Sequence, residues 1–359
     1  MIHLGIEEFI ALPESEQVPY IGENAVIYAQ QFDRNNLEYL CRLSDVARKI
    51  HKIEKGADFL KQLLRHRLVL NFFIQPSSRT FLSFNAAETI LGMSRMSVRD
   101  AKISSISKGE TLSDSLRTFL SYVDLVVMRH PEDISCSIAY WISAMASRRL
   151  NINGENRPIP IVSGGAGKAQ HPTQALLDIY TLQKSFENVG GIDGKTIMLV
   201  GDLKRGRTVR SLSYLMKNFN DVKLLFCAPN EYKMSQDIID FIDKNDNISY
   251  ENVDSISDAI TEVDAIYMTR IQDEHDKLTH DLGHVKAENK YVFRMEHLKQ
   301  MKKEAYLLHP LPKRDEIEEA IDFANDPRVV YWRQERNGMW MRVAIIAKLF
   351  GVGDQILDF

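Results

Sequence analysis

Seven short apolar runs, separated by amphipathic stretches, constrain this chain more than any other feature of its sequence. Leu68–Ile74 (LVLNFFI), Val123–Met128 (VDLVVM) and Ile159–Ser163 (IPIVS) lie in the first half. Thr196–Val200 (TIMLV), Leu224–Ala228 (LLFCA), Val263–Met268 (VDAIYM) and Ala305–Leu308 (AYLL) lie in the second. Runs this short, with little polar alternation, predict strands covered on both faces, as in parallel sheets. Segments such as Asn36–Ile53 and Pro172–Ser185 carry helical spacing between them, and that alternation is the α/β pattern. A chain of 359 residues is long enough for two domains. The strand sets part near Gly164–Pro172, and the turn-rich Asn188–Gly194 opens the second set. We therefore expect an α/β fold of two domains, each a central parallel sheet flanked by helices, joined by interdomain helices. The boundaries expected are 1–172 and 173–335, with a C-terminal helix at about 336–359 packing back on the first domain.

Charge and cysteine usage narrow the function. A net charge of −4 gives no global field that would recruit nucleic acid or an anionic membrane, so anionic ligands must be held by local cations. Cys41, Cys136 and Cys227 are scattered and form no CxxC pair, which points to reduced thiols and a cytosolic compartment. The start of the chain is acidic where a signal peptide would be basic, and no apolar run reaches the ~20 residues of a membrane span.

The polar motifs fall at the ends of the expected strands. Pro76-Ser77-Ser78-Arg79-Thr80 follows the first strand and opens a helical segment, Thr80–Leu91. Small hydroxyl residues at such a helix start make a phosphate cradle from unpaired N–H groups and the helix dipole, and Arg79 adds a forked cation. The alternative is a serine N-cap beside a surface arginine. Ser104 to Thr111 (SSISKGET) has the composition of a surface loop able to close over a ligand. Met128-Arg129-His130-Pro131 ends a strand with an arginine, and His171-Pro172-Thr173-Gln174 begins a helix after another. In the second half, Gly201-Asp202-Leu203-Lys204-Arg205-Gly206-Arg207-Thr208 lacks the GxGxxG spacing of a dinucleotide loop, and its cations suit a carboxylate better. Thr269-Arg270-Ile271-Gln272 ends a strand, and the prolines of His309-Pro310-Leu311-Pro312 fix a turn whose carbonyls can face an amine. Together these describe a phosphate-bearing substrate meeting a carboxylated amine. His275, His280 and His284 raise a zinc reading, but no cysteine lies near them and a polar loop is the simpler account.

Taken together, the motifs resemble the aspartate carbamoyltransferase family over about residues 25–350. PSSRT is shared with the wider carbamoyltransferase superfamily. HPLPKRDEI (309–317), GDLKRGRTVRS and YMTRIQ resemble the aspartate enzymes, because ornithine enzymes carry a cysteine after the histidine. The resemblance implies transfer of the carbamoyl group from carbamoyl phosphate to the α-amine of L-aspartate, an early step of pyrimidine biosynthesis, without cofactor, metal or covalent intermediate. It implies that Ser77, Ser78, Arg79 and Thr80 bind phosphate, and that Arg129, His171 and Gln174 surround the carbamoyl group. Ser105 and Lys108 would come from a neighbouring subunit, which implies a homotrimer with shared active sites. Arg207, Arg270 and Gln272 would hold the aspartate carboxylates, and Leu311 and Pro312 would present carbonyls near its amine and the carbamoyl group. Lys108 would reach both substrates. Arg79, Thr80, Lys108, Arg129 and His171 are the catalytic set so implied.

Five positions depart from the best-known members, among them Ser78, which stands in place of the more usual threonine. Gln75 and His275 stand where those carry a glutamate and an arginine that pair, and Phe81 and Asn85 replace a frequent Arg and Glu pair. Residues before about 25 lie outside the resemblance. A carbamoyltransferase with another amine acceptor and an inactive partner-binding paralogue are the competing readings. Retention of the whole catalytic set argues against the second. Regulatory or pathway-enzyme subunits are compatible with the sequence.

Overall fold

The computed structural model of the chain describes residues 2–100, 109–150, 158–167, 169–271 and 288–359. They form two compact units, Met1–Leu176 with Gly338–Phe359, and Leu177–Asn337. Each unit is built on one five-stranded parallel sheet.

In the first, the strands are β1 (Ala25–Val26), β2 (Leu68–Phe73), β3 (Ser94–Val98), β4 (Leu125–His130) and β5 (Ile161–Ala166), in the order β1-β5-β4-β2-β3. The second holds β6 (Thr196–Val200), β7 (Val222–Cys227), β8 (Ile248–Val253), β9 (Ala265–Met268) and β10 (Tyr306–Leu308), in the order β10-β9-β6-β7-β8. Helices α1 (Ile6–Ala11), α2 (Glu14–Gln17), α3 (Arg34–Ile50), α4 (Glu54–Leu63), α5 (Ser78–Ile90), α6 (Leu112–Leu120) and α7 (Ser135–Leu150) accompany the first sheet. The second has α9 (Arg207–Met216), α10 (Gln236–Asp243), α11 (Met295–Gln300) and α12 (Ala320–Phe323). The unit boundary falls inside α8 (Pro172–Ser185) and α13 (Tyr331–Leu349), and α14 (Gly353–Leu357) closes the chain.

The expected strands are present with shifted ends, and Thr196–Val200 and Pro172–Ser185 stand at the predicted bounds. Three strands were not anticipated. β1 has two residues, while β3 and β8 are polar edge strands with mostly exposed or half-exposed residues. Central strands, in contrast, are buried but for the first residues of β2 and β6 and the second of β7, and every residue of β4 is out of solvent. Helix α3 shows how local sequence fixes an element. Asp33 caps it by accepting from Asn36 N–H, Leu37, Leu40, Leu43 and Ala47 share its buried face, and Arg48 and Lys49 sit in its last turn.

Sheet order decides where ligands can collect. In the first sheet the chain leaves β2 for β3 on one side and returns to β4 on the other; in the second, β7 and β9 flank β6 in the same way. Such reversals leave a crevice beyond the C-terminal strand ends, where open α/β sheets bind ligands.

One buried carboxyl group lies between α5 and β2. Glu88 of α5 is 0% exposed and its two carboxyl oxygens take Asn71 Nδ2 at 3.0 and 2.8 Å. Burial pushes its carboxyl up to about 7 from 4.5, against the pull of the Asn71 amide and Arg95. The folded chain therefore holds a proton that the unfolded chain releases as pH rises from 4.5 to about 7. Stability is fully present at the acid end of that window and is lost as pH rises through about 7. Glu88→Gln should relieve up to about 3 kcal/mol of that loss. Its Nε2 would also offer a donor to Asn71 Oδ1, which is buried with no bond. The variant should melt higher than wild type near pH 8 and alike near pH 4.5. Parallel melting curves that keep one constant difference across pH would assign the effect to another group.

Candidate functional site

The sequence-predicted residues of the first half stand at the ends of three neighbouring strands, β2, β4 and β5. Phe73 of β2 lies in register with Arg129 of β4. Beyond it, the N–H groups of Ile74 and Gln75 both donate to the Arg129 carbonyl, at 2.9 and 3.2 Å. The loop carrying Ser77 to Thr80 is thus tied to the strand that carries Arg129. Ser77 occupies the N-cap position of α5 with extended backbone, yet its side chain makes no capping bond. The Ser77 side chain therefore does not cap the first turn, and a helix start of this kind is where an anion can be held. Ser78 and Arg79 are exposed and Thr80 is buried in that turn.

Arg129 is 7% exposed, and its Nη1 donates to Gly164 O at 2.7 Å. That carbonyl is available because β5 slips in register opposite Arg129: Met128 pairs with Ser163 but His130 with Ala166. The bulge runs through Gly164 and Gly165, the latter at φ 106°. A Cβ on Gly164 would stand 3.3 Å from the Phe73 ring and 3.5 Å from Arg129 Cβ, so a side chain there would press on the arginine it positions. After β5, His171 precedes α8, and its carbonyl takes the N–H groups of Gln174 and Ala175 at 3.0 and 3.2 Å. Its Nδ1 lies 3.5 Å from Thr173 Oγ1. His171 and Gln174 are both buried. The same strand ends hold His130, whose imidazole burial keeps toward the neutral form.

Two sequence departures have a packing account. The Phe81 ring meets Phe73 edge-on at 5.3 Å and lies 4.1 Å under the Arg99 guanidinium. Asn85 Nδ2 donates to Phe81 O at 2.9 Å. An aromatic contact and a local bond stand here in place of an ion pair.

In the second unit the predicted residues again gather at three neighbouring strand ends, those of β6, β9 and β10. The loop after β6 approaches β9 closely. Gly201 has φ 110°, and a Cβ there would lie 2.1 Å from Thr269 O, so only glycine fits. Arg205 is committed to structure: Nε reaches Asp202 Oδ2 at 2.7 Å and the guanidinium lies over the Tyr232 ring at 4.7 Å. Lys204 is exposed, which leaves Arg207, the half-buried first residue of α9, as the loop's ligand candidate. Arg270 follows β9 and is also half-buried, with Nη1 3.2 Å from Ile271 O.

His309 is not exposed to ligand; it organises the turn. It is 1% exposed, its Nδ1 accepts from Leu311 N–H at 2.8 Å, and Nε2 bonds Glu316 Oε1 at 2.7 Å. With Nδ1 an acceptor, the proton sits on Nε2 and points at Glu316. Burial alone would raise the Glu316 carboxyl, but His309 and the backbone N–H of Arg314 hold it below the usual range. The result is a braced turn with Leu311 at φ 52° and a cis Leu311–Pro312 bond, Leu311 half-buried and Pro312 exposed. Gly164, which holds Arg129, and Glu316, which braces the turn at Leu311, carried no signal of that role in the sequence.

Ser105, Lys108 and Gln272 lie outside the described residues, as do His275, His280 and His284. Among the described residues no cluster of His, Cys, Asp or Glu is placed to hold a metal, and no helix is long and apolar enough to cross a membrane. Burial pushes the thiols of Cys41, Cys136 and Cys227 up to about 12, 11 and 12, so all three stay protonated at neutral pH.

Residues 25–184 match the family described as aspartate/ornithine carbamoyltransferase, carbamoyl-P binding domain; residues 193–349 match its Asp/Orn binding domain. The chain is 40% identical over 327 residues to aspartate carbamoyltransferase 1, chloroplastic, of Pisum sativum, spanning 90% of this chain and 78% of that protein. It is 36% identical over 331 residues to the aspartate carbamoyltransferase catalytic subunit of Thermoplasma acidophilum, spanning 92% and 99%. Among solved structures, aspartate transcarbamoylase from Trypanosoma cruzi in complex with carbamoyl phosphate is similar at a TM-score of 0.78 and 33% identity, over 92% of this chain and 96% of that one.

Proposed function

This chain belongs to the aspartate/ornithine carbamoyltransferase family, and on that premise we propose that it transfers the carbamoyl group of carbamoyl phosphate to the α-amine of L-aspartate. The observation that carries the choice of aspartate is the pair Arg207 and Arg270, at the ends of adjacent strands in the second unit. Two guanidiniums suit a dicarboxylate acceptor, whereas the cationic side chain of ornithine would be repelled. The relatives named above are aspartate enzymes, which supports the same choice.

In this reading the first unit, which includes Gly338–Phe359 rather than one helix from 336, binds carbamoyl phosphate, and the second binds aspartate. The first turn of α5, which the Ser77 side chain does not cap, cradles the phosphate with Ser77, Ser78, Arg79 and Thr80. Thr80, Arg129 and His171 donate to the carbamoyl oxygen, with Gln174 beside them. The deprotonated amine attacks the carbonyl carbon, forming the C–N bond and moving charge onto that oxygen, where fixed donors stabilise it. The C–O bond to phosphate then breaks, and the departing phosphate accepts the amine proton. Arg207, Arg270 and Gln272 hold the carboxylates of aspartate. The carbonyls of Leu311 and Pro312 orient the amine, and Lys108 neutralises phosphate.

Ser105 and Lys108 reach the site of a neighbouring copy in this reading, so the active form is a homotrimer. The open edge of β3, with Met96 exposed, and Leu82 of α5 at 64% exposure support an interface on that side of the first sheet. A cytosolic location is supported by the scattered, unpaired cysteines.

The test is release of phosphate and formation of a ureido product, with aspartate and ornithine assayed side by side. Turnover with aspartate and none with ornithine is the expected result. Turnover with ornithine, or with neither at saturating carbamoyl phosphate, would overturn the assignment.

A further inference from the structure

The residues before 25 lie outside the family match, yet they are built into the first unit. Ile2 and Phe9 are buried in its core. Trp141 Nε1 donates to Leu4 O at 3.1 Å, and the Tyr28 hydroxyl joins Gln17 Oε1 to Ser137 Oγ. Tyr140 completes the attachment, its hydroxyl accepting from Gly22 N–H at 2.8 Å and donating to Tyr20 O at 3.1 Å. These contacts fix the position of α2, whose first residue is Glu14.

Glu14 Oε2 accepts from Nε2 of Gln170, the residue before His171. Gln170 is 2% exposed. Its Nε2 also reaches Gln30 Oε1 at 2.8 Å, its Oε1 accepts from Ala29 N–H at 2.8 Å, and its backbone carbonyl takes Ala166 N–H at 3.3 Å. A buried amide with both ends engaged, one hydrogen going to a carboxylate, has a single orientation. The chain between β5 and α8 needs such an anchor. Gly165 and Gly167 in this stretch both adopt positive φ, and glycine backbone is intrinsically permissive. From the sheet side the segment is held by the His130 carbonyl, which accepts from Gly167 N–H at 2.9 Å, and by Asp133, whose Oδ1 accepts from Ala169 N–H at 3.2 Å.

We infer that Glu14 is a positioning residue for the transfer reaction: through Gln170 it fixes the backbone that aims His171. The N-terminal segment is thereby part of the catalytic frame. This inference rests on the reading of His171 as a donor to the carbamoyl oxygen.

Kinetics of four full-length variants test it: Glu14→Ala, Glu14→Gln, His171→Ala and the double variant Glu14→Ala with His171→Ala. Glu14→Ala should lower kcat/KM for carbamoyl phosphate by roughly tenfold to a hundredfold, the scale of a misplaced catalytic group. Glu14→Gln keeps an acceptor for Gln170 and should recover most of the activity. Adding Glu14→Ala to His171→Ala should cause no further loss, because the two act through one group. Wild-type kinetics for Glu14→Ala beside an impaired His171→Ala would overturn the inference, as would the same loss persisting in the double variant. An unimpaired His171→Ala would instead remove the reading of His171, and the inference with it. Should Glu14→Ala not fold, Glu14→Asp withdraws the carboxylate by one carbon and carries the same comparison.

Discussion

Replacing Arg129 by alanine is expected to lower kcat by about a hundredfold to a thousandfold, the effect of deleting one preorganised donor from a site where charge develops. The expectation rests on how the side chain is held. Its carbonyl is clamped by the N–H groups of Ile74 and Gln75, and its guanidinium is pulled onto Gly164 O by the bulge in β5. The arginine is therefore in place before substrate arrives, and little reorganisation remains for the reaction. Arg129→Lys should recover little: an ammonium keeps the charge but cannot bond Gly164 and present a second donor in a fixed plane. Initial rates in both substrates, with circular dichroism to confirm folding, check this. A folded Arg129→Ala enzyme with kcat within threefold of wild type would leave the residue a purely structural part of the sheet end.

Arg270→Ala should act on the other substrate. Removing a guanidinium that holds a carboxylate costs about 3 kcal/mol or more, so half-saturation for aspartate should rise by roughly a hundredfold. Carbamoyl phosphate affinity, measured by equilibrium binding without aspartate, should be unchanged, because Arg270 is not among the residues proposed to bind it. The split between substrates is the informative part. A variant that loses both affinities equally has been damaged in its fold, and one that loses neither shows that aspartate is held elsewhere.

How much of this was legible in the sequence depended on burial. TIMLV and the segment from Pro172 to Ser185 were found at their bounds because the strand is buried on both faces and the helix opens with proline at its first position. SRMSV and ISYENV were missed because edge strands half-exposed to water need no apolar run. The candidate ligands were legible because each arginine or histidine lies in the C-terminal end of an apolar strand or in the stretch that follows it. What holds them was not. Gly164 acts through a register slip, Glu316 through a buried histidine, and Glu14 through a glutamine 156 residues away. Such partners are fixed only when the chain has folded. Helices as short as α1 and α2, of six and four residues, carry too little periodicity to announce themselves.

The two sheets keep their ligand candidates on separate sets of strand ends, β2, β4 and β5 in one and β6, β9 and β10 in the other. That separation makes the chemistry modular for evolution. The residues assigned to the carbamoyl donor can be inherited unchanged while the loops after β6, β9 and β10 are rewritten for a new amine. Acceptor range can then diversify largely by changes after the strand ends, while the parallel strands beneath serve as scaffold.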